Sequence, residues 1–454
     1  MEKKLTVLGL GKSGVAAANL GVKLGYKVFA SDSEKERAIK NLNKKVETEF
    51  GTHSDKVLDV QVIVKSPGIH RTVPIIKKAL AKKIKVVSEL RFALDHSEYS
   101  KLVALTGTNG KTTTTDLLFK IIKSFHKDTI VCGNIGFPLS DKSLKTSPKT
   151  IIVLETSSYQ LEDTPNLKPF ISVALNISKD HIDHHGSMNN YVKAKKIVFA
   201  NQTSADFAVL NFDDKEIMKI SKTAKASKIF FSKKPFAPKP SALLLKKGTK
   251  NAIVFYDEAN GGQIVFQTPS KTLSIKPKIK IAGWHNIENI LAASAAAFCL
   301  GVAAKNIVKT ISAYKGVRHR IEFIKSLNGA AYYNDSKATN IDSTRVALNA
   351  FDGNIWLIMG GQDKKIPYTS LANLIKAKVK GILLVGEAAP LIKRDLAGAA
   401  KFYDCGTVDN AAKKAFTLAR KGDIVLLSPA CASWDQFKNF EERGDMFRNT
   451  VESL

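Results

Sequence analysis

The order of apolar and polar residues predicts a chain in which short buried strands alternate with amphipathic helices. This alternation is typical of α/β domains wound around a parallel sheet. The apolar runs that predict strands in the first and last parts of the chain lie at 5–8, 28–30, 60–64, 86–87, 355–359, 382–385 and 424–427.

A phosphate-binding loop is predicted where the apolar run 102–105 gives way to Thr106-Gly107-Thr108-Asn109-Gly110-Lys111-Thr112-Thr113. Small residues let backbone N–H groups curl around phosphate oxygens, and the following helix presents the positive end of its dipole. Lys111 is placed to meet the β- and γ-phosphates, and the Thr112 hydroxyl to meet Mg²⁺. The glycines stand closer together than in the full P-loop, so the pattern predicts a shortened ATP or GTP loop; a plain strand-to-helix turn is the alternative.

Length and composition suit two or three globular domains, because 454 residues can build separate cores. The apolar start of the chain ends at Gly9, too soon for a signal peptide, and no run is apolar enough to span a bilayer. We therefore expect a cytoplasmic protein without a membrane partner. Cys132, Cys299, Cys405 and Cys431 show no metal-ligand spacing, which suits reduced thiols.

The net charge of +29 raises the question of nucleic-acid binding. The lysines are dispersed along the chain and form no aromatic-interleaved stripe. We expect no nucleic acid as the primary ligand, although a positive field would help to capture polyanionic small substrates.

A second glycine fingerprint, Gly9-Leu10-Gly11-Lys12-Ser13-Gly14, follows the first predicted strand. Asp32 closes the next strand about 20 residues on, where a ribose-binding acid is expected. The first interpretation is NAD, yet the same turn can hold any nucleotide diphosphate. The chain offers no separate set of residues for hydride transfer.

The apolar run 151–154 ends in Glu155, and a histidine-rich segment follows at 176–187. A carboxylate at the carboxyl end of a strand beside a phosphate loop is well placed for Mg²⁺. The density of histidines suggests zinc. Because no cysteine accompanies them and the phosphate loop requires a hard cation with oxygen ligands, we favour magnesium.

These features together resemble the central ATPase domain of the Mur ligases, which are ATP-dependent amide-forming enzymes of peptidoglycan assembly. The resemblance rests on the phosphate loop, the Glu155 strand and the segment His181–Lys195. It implies that Thr112, Glu155, His181 and Lys195 hold two Mg²⁺ ions, with Lys195 carbamylated by CO₂. An ordinary lysine in a lysine-rich helix is the alternative for Lys195.

The resemblance extends over essentially the whole chain. The segments 285–289, 316–322 and 334–340 are similar to the adenine-side segment, the interdomain element and the start of the third domain in this family. The resemblance implies that ATP is bound by Gly107, Thr108, Asn109, Gly110, Lys111, Thr112, Thr113, Asn286, Arg320 and Asp335. The catalytic set that it implies is Lys111, Glu155, His181, Lys195 and Lys337.

The segment 427–444, which contains Ser428-Pro429-Ala430-Cys431-Ala432-Ser433-Trp434, is similar to the signature of the family branch that adds D-glutamate. The Asp-Asn-Pro-Arg motif of the diaminopimelate- or lysine-adding branches is absent from the sequence. The D-glutamate site implied by the resemblance consists of Lys337, Thr339, Lys364, Ser433 and Phe440.

The first domain is then expected to bind a uridine diphosphate sugar, which resolves the NAD ambiguity. The residues implied for this substrate are Gly11, Lys12, Ser13, Asp32, Ser33, Ser66, Gly68, Asn134 and His181.

The resulting prediction is an α/β protein of three domains. These are a Rossmann-like domain at 1–97 for the UDP substrate, a central P-loop-type ATPase domain with a mostly parallel sheet at 98–316, and a Rossmann-like amino-acid-binding domain at 317–454. The expected activity is ATP-dependent addition of D-glutamate to UDP-N-acetylmuramoyl-L-alanine by a monomer, through an acyl phosphate.

Three alternatives remain open. A folylpolyglutamate-synthase-like or another Mur-type ligase would share the ATPase core, although the first glycine fingerprint argues against the former. An NAD-dependent dehydrogenase would leave the Lys111 loop without a role. A nucleic-acid-binding protein would use the charge but leave every catalytic motif unexplained.

Overall fold

The structure is a computed structural model that describes residues 2–36, 39–236, 245, 250–363 and 367–454. The chain divides into two compact units. The first is Met1–Pro277 with Glu288–Ile311, and the second is Lys278–Ile287 with Ser312–Leu454.

The strands of the described residues are labelled in chain order. They are β1 Lys4–Leu8, β2 Lys27–Asp32, β3 Glu47–Phe50, β4 Val62–Lys65, β5 Lys85–Ser88, β6 Lys101–Thr106, β7 Thr129–Gly133, β8 Ile151–Glu155, β9 Ile171–Ala174, β10 Phe207–Asn211, β11 Ser227–Ser232, β12 Ala252–Asp257, β13 Gln263–Gln267, β14 Thr272–Ile275, β15 Glu322–Leu327, β16 Ala330–Asn334, β17 Ile355–Gly360, β18 Val379–Val385, β19 Lys401–Gly406 and β20 Ile424–Leu427.

The α-helices of the same residues are labelled likewise. They are α1 Lys12–Lys23, α2 Pro74–Ala81, α3 Glu89–Leu94, α4 Lys111–Phe125, α5 Ser158–Glu162, α6 Ile182–His185, α7 Met188–Ala200, α8 Lys215–Ser221, α9 Trp284–Cys299, α10 Ala304–Ala313, α11 Ile341–Asn349, α12 Ala372–Lys378, α13 Ala389–Asp395, α14 Val408–Leu418 and α15 Phe440–Ser453. Short 3₁₀ turns lie at Asp55–Leu58, Leu139–Asp141, Ser143–Lys145 and Thr369–Leu371.

The first sheet of the first unit has the order β3-β2-β1-β4-β5, and its described pairs are parallel. This order is that of the first five strands of a Rossmann fold. Leu8, at the end of β1, pairs with both Ser31 and Lys65. The loops that follow β1, β2 and β4 therefore meet at one edge of the sheet.

The second sheet of this unit has the order β14-β13-β12-β11-β10-β9-β6-β8-β7. The pairs from β7 to β12 are parallel, whereas β13 and β14 are antiparallel. Strands β6, β8 and β9 are buried along almost their whole length. Continuous apolar strands of this kind are typical of a parallel sheet that is covered on both faces.

The second unit contains a sheet of the order β15-β16-β20-β17-β18-β19, in which only β15 is antiparallel to its neighbour among the described strands. Apolar clusters cover both faces, one around Leu357 and Leu384 and the other around Ile358 and Leu383. These residues alternate along β17 and β18, as the period of a strand requires.

The predicted α/β class with mostly parallel sheets is confirmed. The predicted strand at 60–64 begins two residues later, at Val62, and ends at Lys65. Gln61 lies outside it because its side-chain oxygen, rather than its backbone, accepts the Lys4 backbone N–H at 2.7 Å. The predicted domain boundaries at 97/98 and 316/317 stay predictions.

Within the described ranges, none of the helices combines the length and the apolar character that crossing a bilayer requires.

Candidate active site

The predicted phosphate loop lies between the end of β6 and the start of α4, in the first unit. Gly110 precedes the helix with φ +80°, and a Cβ there would lie 2.2 Å from Asn289 Oδ1. Only glycine tolerates both the left-handed backbone and this close approach. Asn289 also accepts a hydrogen bond from the Thr114 hydroxyl at 3.0 Å, so α9 fixes the first turn of α4.

Asn176 holds the loop in shape from the neighbouring strand. Its Oδ1 accepts the backbone N–H groups of Thr108 at 3.1 Å and Asn109 at 2.8 Å, and its Nδ2 donates to the Asn109 carbonyl at 3.1 Å. Sequence analysis assigned no role to Asn176 or Asn289. The position of Asn176 in the chain is the signal that could have indicated its role. Asn176 follows the end of β9, which pairs directly with β6.

Two lysines meet at one carbonyl of this loop. Lys111 Nζ donates to the Gly107 carbonyl at 2.8 Å and to the Thr108 carbonyl at 2.8 Å, and Lys195 Nζ donates to the same Gly107 carbonyl at 2.8 Å. Lys195 is 2% exposed. Burial, together with the charge of Lys111, holds the pKa of Lys195 well below its usual value, so the structure favours an uncharged amine here.

Glu155 ends β8 directly beside the loop, because it pairs with Leu105 of β6. The side chain is buried. Its Oε1 accepts the Asn134 side-chain amide at 2.8 Å, whereas its Oε2 has no hydrogen-bond partner among the described residues. A buried carboxylate oxygen without a donor is costly unless a cation is bound to it, so this residue suits a hard divalent ion.

Tyr191 connects the loop with the other predicted metal ligands. Its hydroxyl lies 3.0 Å from Thr108 Oγ1, and Lys195 Nζ lies 4.7 Å from its ring centre. The ring of His181, whose backbone has φ +52°, is 6.3 Å from that of Tyr191. Burial raises the pKa of Tyr191 to about 12, so its hydroxyl stays protonated.

The predicted fingerprint loop packs tightly against the turn after β4. A Cβ on Gly14 would lie 1.8 Å from the Gly9 carbonyl oxygen. Ser66 Oγ donates to that same carbonyl at 3.0 Å. Asp32 Oδ2 accepts the Leu10 backbone N–H at 2.7 Å, so the carboxylate braces the glycine loop from β2.

A cleft of about 550 Å³ opens beside this loop. Lys12, Ser33 and Gly68, predicted for the UDP substrate, are exposed, and Ser13 and Ser66 are half-buried. The side chains and backbone that line the cleft belong to Leu10, Gly11, Lys12, Val15, Ala16, Asn19, Ile39, Lys40, Asn41, Gly136, Phe137, Pro138 and Asp141.

A buried ion pair joins the first and second sheets of this unit. Lys65 Nζ lies 2.5 Å from Asp163 Oδ2, and Arg71 Nε donates to Asp163 Oδ1 at 2.8 Å. The Lys65 and Asp163 side chains are 2% and 4% exposed. The hydroxyls of Ser88 and Thr164 lie 2.7 Å apart in the same interface.

Asp335, predicted to meet ATP, is buried in the second unit at the end of β16. It accepts the Ser428 hydroxyl at 2.8 Å and the Ile321 backbone N–H at 3.2 Å. Burial raises its pKa to about 7. Ile321 and His319 flank Arg320 with φ of +42° and +62°, a strained backbone of the kind that gathers at functional sites.

The described residues that are predicted for D-glutamate lie on two segments of the second unit, and Arg443 joins these segments. Lys337 Nζ lies 5.2 Å from the ring centre of Phe440, and Ser433 is buried. Arg443 is buried and donates to Ser336 Oγ at 3.0 Å and to the carbonyls of Ser336, Cys431 and Ala432 at 2.8, 3.1 and 3.2 Å. Sequence analysis missed Arg443.

Three further predicted residues belong to the second unit. Asn286 is buried and donates its side-chain amide to the Ala282 carbonyl at 2.6 Å. The Thr339 backbone N–H donates to the Lys337 carbonyl at 2.8 Å. Lys364 lies outside the described residues.

A phosphate loop that opens a helix, with a buried acid on the next strand, is typical of enzymes that bind a nucleoside triphosphate and a divalent ion. The sequence matches family models for three domains. These are "Mur ligase MurD-like, N-terminal domain" at residues 3–88, "Mur ligase middle domain" at 105–297 and "Mur ligase, glutamate ligase domain" at 319–431.

The chain belongs to the Mur ligase family. It is 45% identical to a protein of Elusimicrobium minutum named UDP-N-acetylmuramoylalanine--D-glutamate ligase, over 100% of this chain and 98% of that protein. Relatives of the same name in Caldicellulosiruptor bescii and Myxococcus xanthus are each 39% identical, with the same coverage.

Solved structures agree on the fold. A UDP-N-acetylmuramate-alanine ligase (MurC) of Thermotoga maritima aligns with a TM-score of 0.58 at 17% identity, over 99% of both chains. The MurF ligase of the same organism, solved in complex with ADP, aligns with a TM-score of 0.61 at 17% identity, over 100% of this chain and 96% of that chain.

Proposed function

We propose that this chain joins D-glutamate to UDP-N-acetylmuramoyl-L-alanine, with cleavage of ATP to ADP and phosphate, in the synthesis of peptidoglycan precursors. The observation that carries the proposal is the 45% identity to a relative named for this reaction, over the full length of the chain. The phosphate loop and the residues around it supply the chemistry that such a reaction needs.

The first step activates a carboxylate. The terminal carboxylate oxygen of UDP-N-acetylmuramoyl-L-alanine attacks the γ-phosphorus of ATP, the bond to the β-phosphate oxygen breaks, and ADP leaves. Because both reactants are anions, this step needs concentrated positive charge. Lys111 supplies it from the phosphate loop, and the loop N–H groups are held in shape by Asn176.

The second step forms the amide. The D-glutamate amine, after loss of a proton, attacks the carbonyl carbon of the acyl phosphate, and inorganic phosphate leaves. In the second unit, Lys337 and Ser433 are candidates for binding the D-glutamate carboxylates. Arg443 positions the segments that carry them.

Magnesium fits the residues of this site. The Glu155 Oε2 oxygen is buried without a hydrogen-bond partner among the described atoms, and oxygen ligands suit Mg²⁺. Thr112, Glu155, His181 and a carbamylated Lys195 would hold two ions, which supply charge stabilisation for phosphoryl transfer when bound.

Carbamylation of Lys195 also fits its surroundings. The amine is buried and shares the Gly107 carbonyl with Lys111, so two ammonium groups would repel each other here. When the Lys195 amine attacks the carbon of CO₂ and releases a proton, the side chain becomes an anion. The carbamate then attracts the Lys111 ammonium group instead of repelling it, and its oxygen atoms are available as metal ligands.

The UDP substrate is expected at the first sheet. The Gly9–Gly14 loop, braced by Asp32 and Ser66, presents the amino-terminal end of α1 to a diphosphate, which favours anions. The cleft beside Lys12 and Phe137 is the candidate place for the uridine. We also propose that the enzyme works as a monomer, which sedimentation across a concentration series would test.

The test is release of phosphate from ATP with UDP-N-acetylmuramoyl-L-alanine and one amino acid at a time. We expect turnover with D-glutamate and none with L-glutamate, L-lysine or diaminopimelate. Turnover with a different amine would agree with the family and contradict D-glutamate as the substrate. The absence of turnover with every amine, in a folded preparation supplied with Mg²⁺ and bicarbonate, would overturn the proposal.

A further inference from the structure

A polar cluster that the proposed reaction does not use consists of Glu162, His184 and His185, here called the histidine cluster. Glu162 ends α5, and the two histidines end the short helix α6. One donor atom from each side chain lies within 4.8 Å of the donor atoms of the other two. The His185 side chain is 1% exposed and that of His184 is 13% exposed.

The Glu162 carboxylate lies close to one nitrogen of each imidazole ring. Glu162 Oε2 lies 3.3 Å from His184 Nε2 and 3.7 Å from His185 Nδ1. In a tetrahedral zinc site, metal–ligand bonds of about 2.0–2.1 Å place neighbouring donor atoms about 3.3 Å apart. The two measured separations are close to this edge length.

Neighbouring side chains hold both imidazole rings in position. Ser158 Oγ lies 3.0 Å from His185 Nε2, which leaves His185 Nδ1 directed toward Glu162. The His184 ring packs edge-on against Tyr159 at 4.1 Å and His70 at 4.8 Å between ring centres. Metal-binding histidines are commonly oriented by such hydrogen bonds from their second nitrogen.

Burial of both rings favours the neutral form that binds metals. Burial lowers the pKa of His184 and that of His185 below the ordinary histidine value. A neutral imidazole has the lone pair that coordination requires.

We propose that Glu162, His184 and His185 form a binding site for a zinc-class divalent transition-metal ion. Two imidazole nitrogens and one carboxylate oxygen suit Zn²⁺, whereas Mg²⁺ prefers oxygen ligands alone. Three protein ligands leave the fourth tetrahedral position to water. The site does not include His181, which is assigned to Mg²⁺ binding, and the inference does not depend on the proposed ligase reaction.

The experiment measures binding of Zn²⁺ to the metal-stripped full chain, in competition with a chromophoric chelator and with millimolar Mg²⁺ present throughout. We expect one bound Zn²⁺ per chain that Mg²⁺ does not displace. His184→Gln and Glu162→Gln should each weaken binding by on the order of tenfold or more, whereas His126→Gln, at a half-buried histidine outside the cluster, should leave it unchanged.

Co²⁺ serves as a spectroscopic probe of the same site. We expect the intense visible bands of four-coordinate Co²⁺ in the unaltered chain and their loss in His184→Gln. Zn²⁺ should raise the thermal midpoint of the unaltered chain and not that of His184→Gln, and the midpoint without metal shows whether each variant is folded.

Three outcomes would overturn the inference. They are the absence of Zn²⁺ binding in the presence of Mg²⁺, equal binding by folded His184→Gln, and binding that is lost in His181→Gln. The last outcome would place the ion at the phosphate loop instead. Ligase turnover can fail or succeed independently of all three.

Discussion

At the residue scale, two lysines donate to the Gly107 carbonyl, and their surroundings favour different charge states. In the proposed reaction Lys111 faces phosphate, where its positive charge is favourable. Lys195 is buried beside it, where a second positive charge is costly. The burial of Lys195 therefore favours a neutral or modified side chain.

Replacement of Lys195 tests this assignment. We expect Lys195→Ala to lower kcat by on the order of 100-fold or more, because the proposed metal ligand is lost. Lys193→Ala, on the exposed side of the same helix, should remain near the unaltered rate. The unaltered enzyme should show a carbamate ¹³C resonance with labelled bicarbonate, and a resonance of equal intensity in Lys195→Ala would contradict the assignment.

Asp335 gives a prediction about pH. Its pKa is about 7 in the folded chain, well above the 3.8 that is ordinary for an aspartate. Because the pKa of Asp335 is higher in the folded chain than in the unfolded chain, protonation of its carboxyl stabilises the folded state. This stabilisation is fully present below the unfolded pKa and is lost as the pH rises through the folded pKa. Between pH 5 and pH 8, the free energy of unfolding should therefore fall by about 2–3 kcal/mol relative to Asp335→Asn.

The measurement is denaturant unfolding of the full chain at several pH values. Asp352→Asn, at an exposed carboxylate, is the matched control and should run parallel to the unaltered chain. If the difference in the free energy of unfolding between the unaltered chain and Asp335→Asn were constant over this pH range, Asp335 would not titrate there.

At the scale of elements, Arg443 on α15 joins the segment after β16 to the segment after β20. Its guanidinium makes four hydrogen bonds with fixed directions. A lysine has three donors at a single atom and cannot reproduce this geometry. The arginine is therefore a positioning residue for Lys337 and Ser433.

We expect Arg443→Lys to lower the free energy of unfolding by about 2–4 kcal/mol, because buried carbonyls lose their donors. In the folded variant, KM for D-glutamate should rise by a larger factor than KM for ATP. Arg345→Lys, which affects a partly exposed arginine bound to Ser370, should leave both KM values nearly unchanged. Equal increases in both KM values would indicate a purely structural role.

The elements that sequence analysis predicts correctly share a physical cause. Strands such as β6, β8 and β17 are buried on both faces, so their apolar runs are continuous and readable locally. Strand β3, Glu47–Phe50, lies at a sheet edge without buried residues, and its polar sequence predicts no strand.

The residues of the candidate site also differ in whether the local sequence indicates them. Lys111 and Thr112 stand in one short motif, so the sequence indicates them directly. Asn176, Asn289 and Arg443 act on segments that are far away in the chain. No local pattern shows such partners, because only the folded sheet brings them together.

At the scale of the whole molecule, the Lys65–Asp163 pair ties the first sheet to the second within one unit. Loss of one partner leaves a buried charge without compensation, which typically costs about 3–5 kcal/mol. We expect Asp163→Asn to lower the free energy of unfolding of the first unit by this amount. Asp55→Asn, which breaks the exposed pair with Lys78, should lower it far less, because ion pairs in solvent contribute little to stability.

Replacement of both partners, Lys65→Met with Asp163→Leu, should recover most of the stability, because apolar side chains of similar volume need no charge partner. Urea unfolding of the three variants measures these differences. If Asp163→Asn lowered the free energy of unfolding no more than Asp55→Asn does, the buried pair would not stabilise the contact between the two sheets.

The crowding around the glycines has a consequence for resistance to inhibitors. A side chain on Gly14 would collide with the Gly9 carbonyl, and one on Gly110 with Asn289. An inhibitor that binds only the backbone N–H groups of these two loops would therefore contact positions that cannot be mutated without loss of the fold of the loop. Escape would have to come from residues outside the loops.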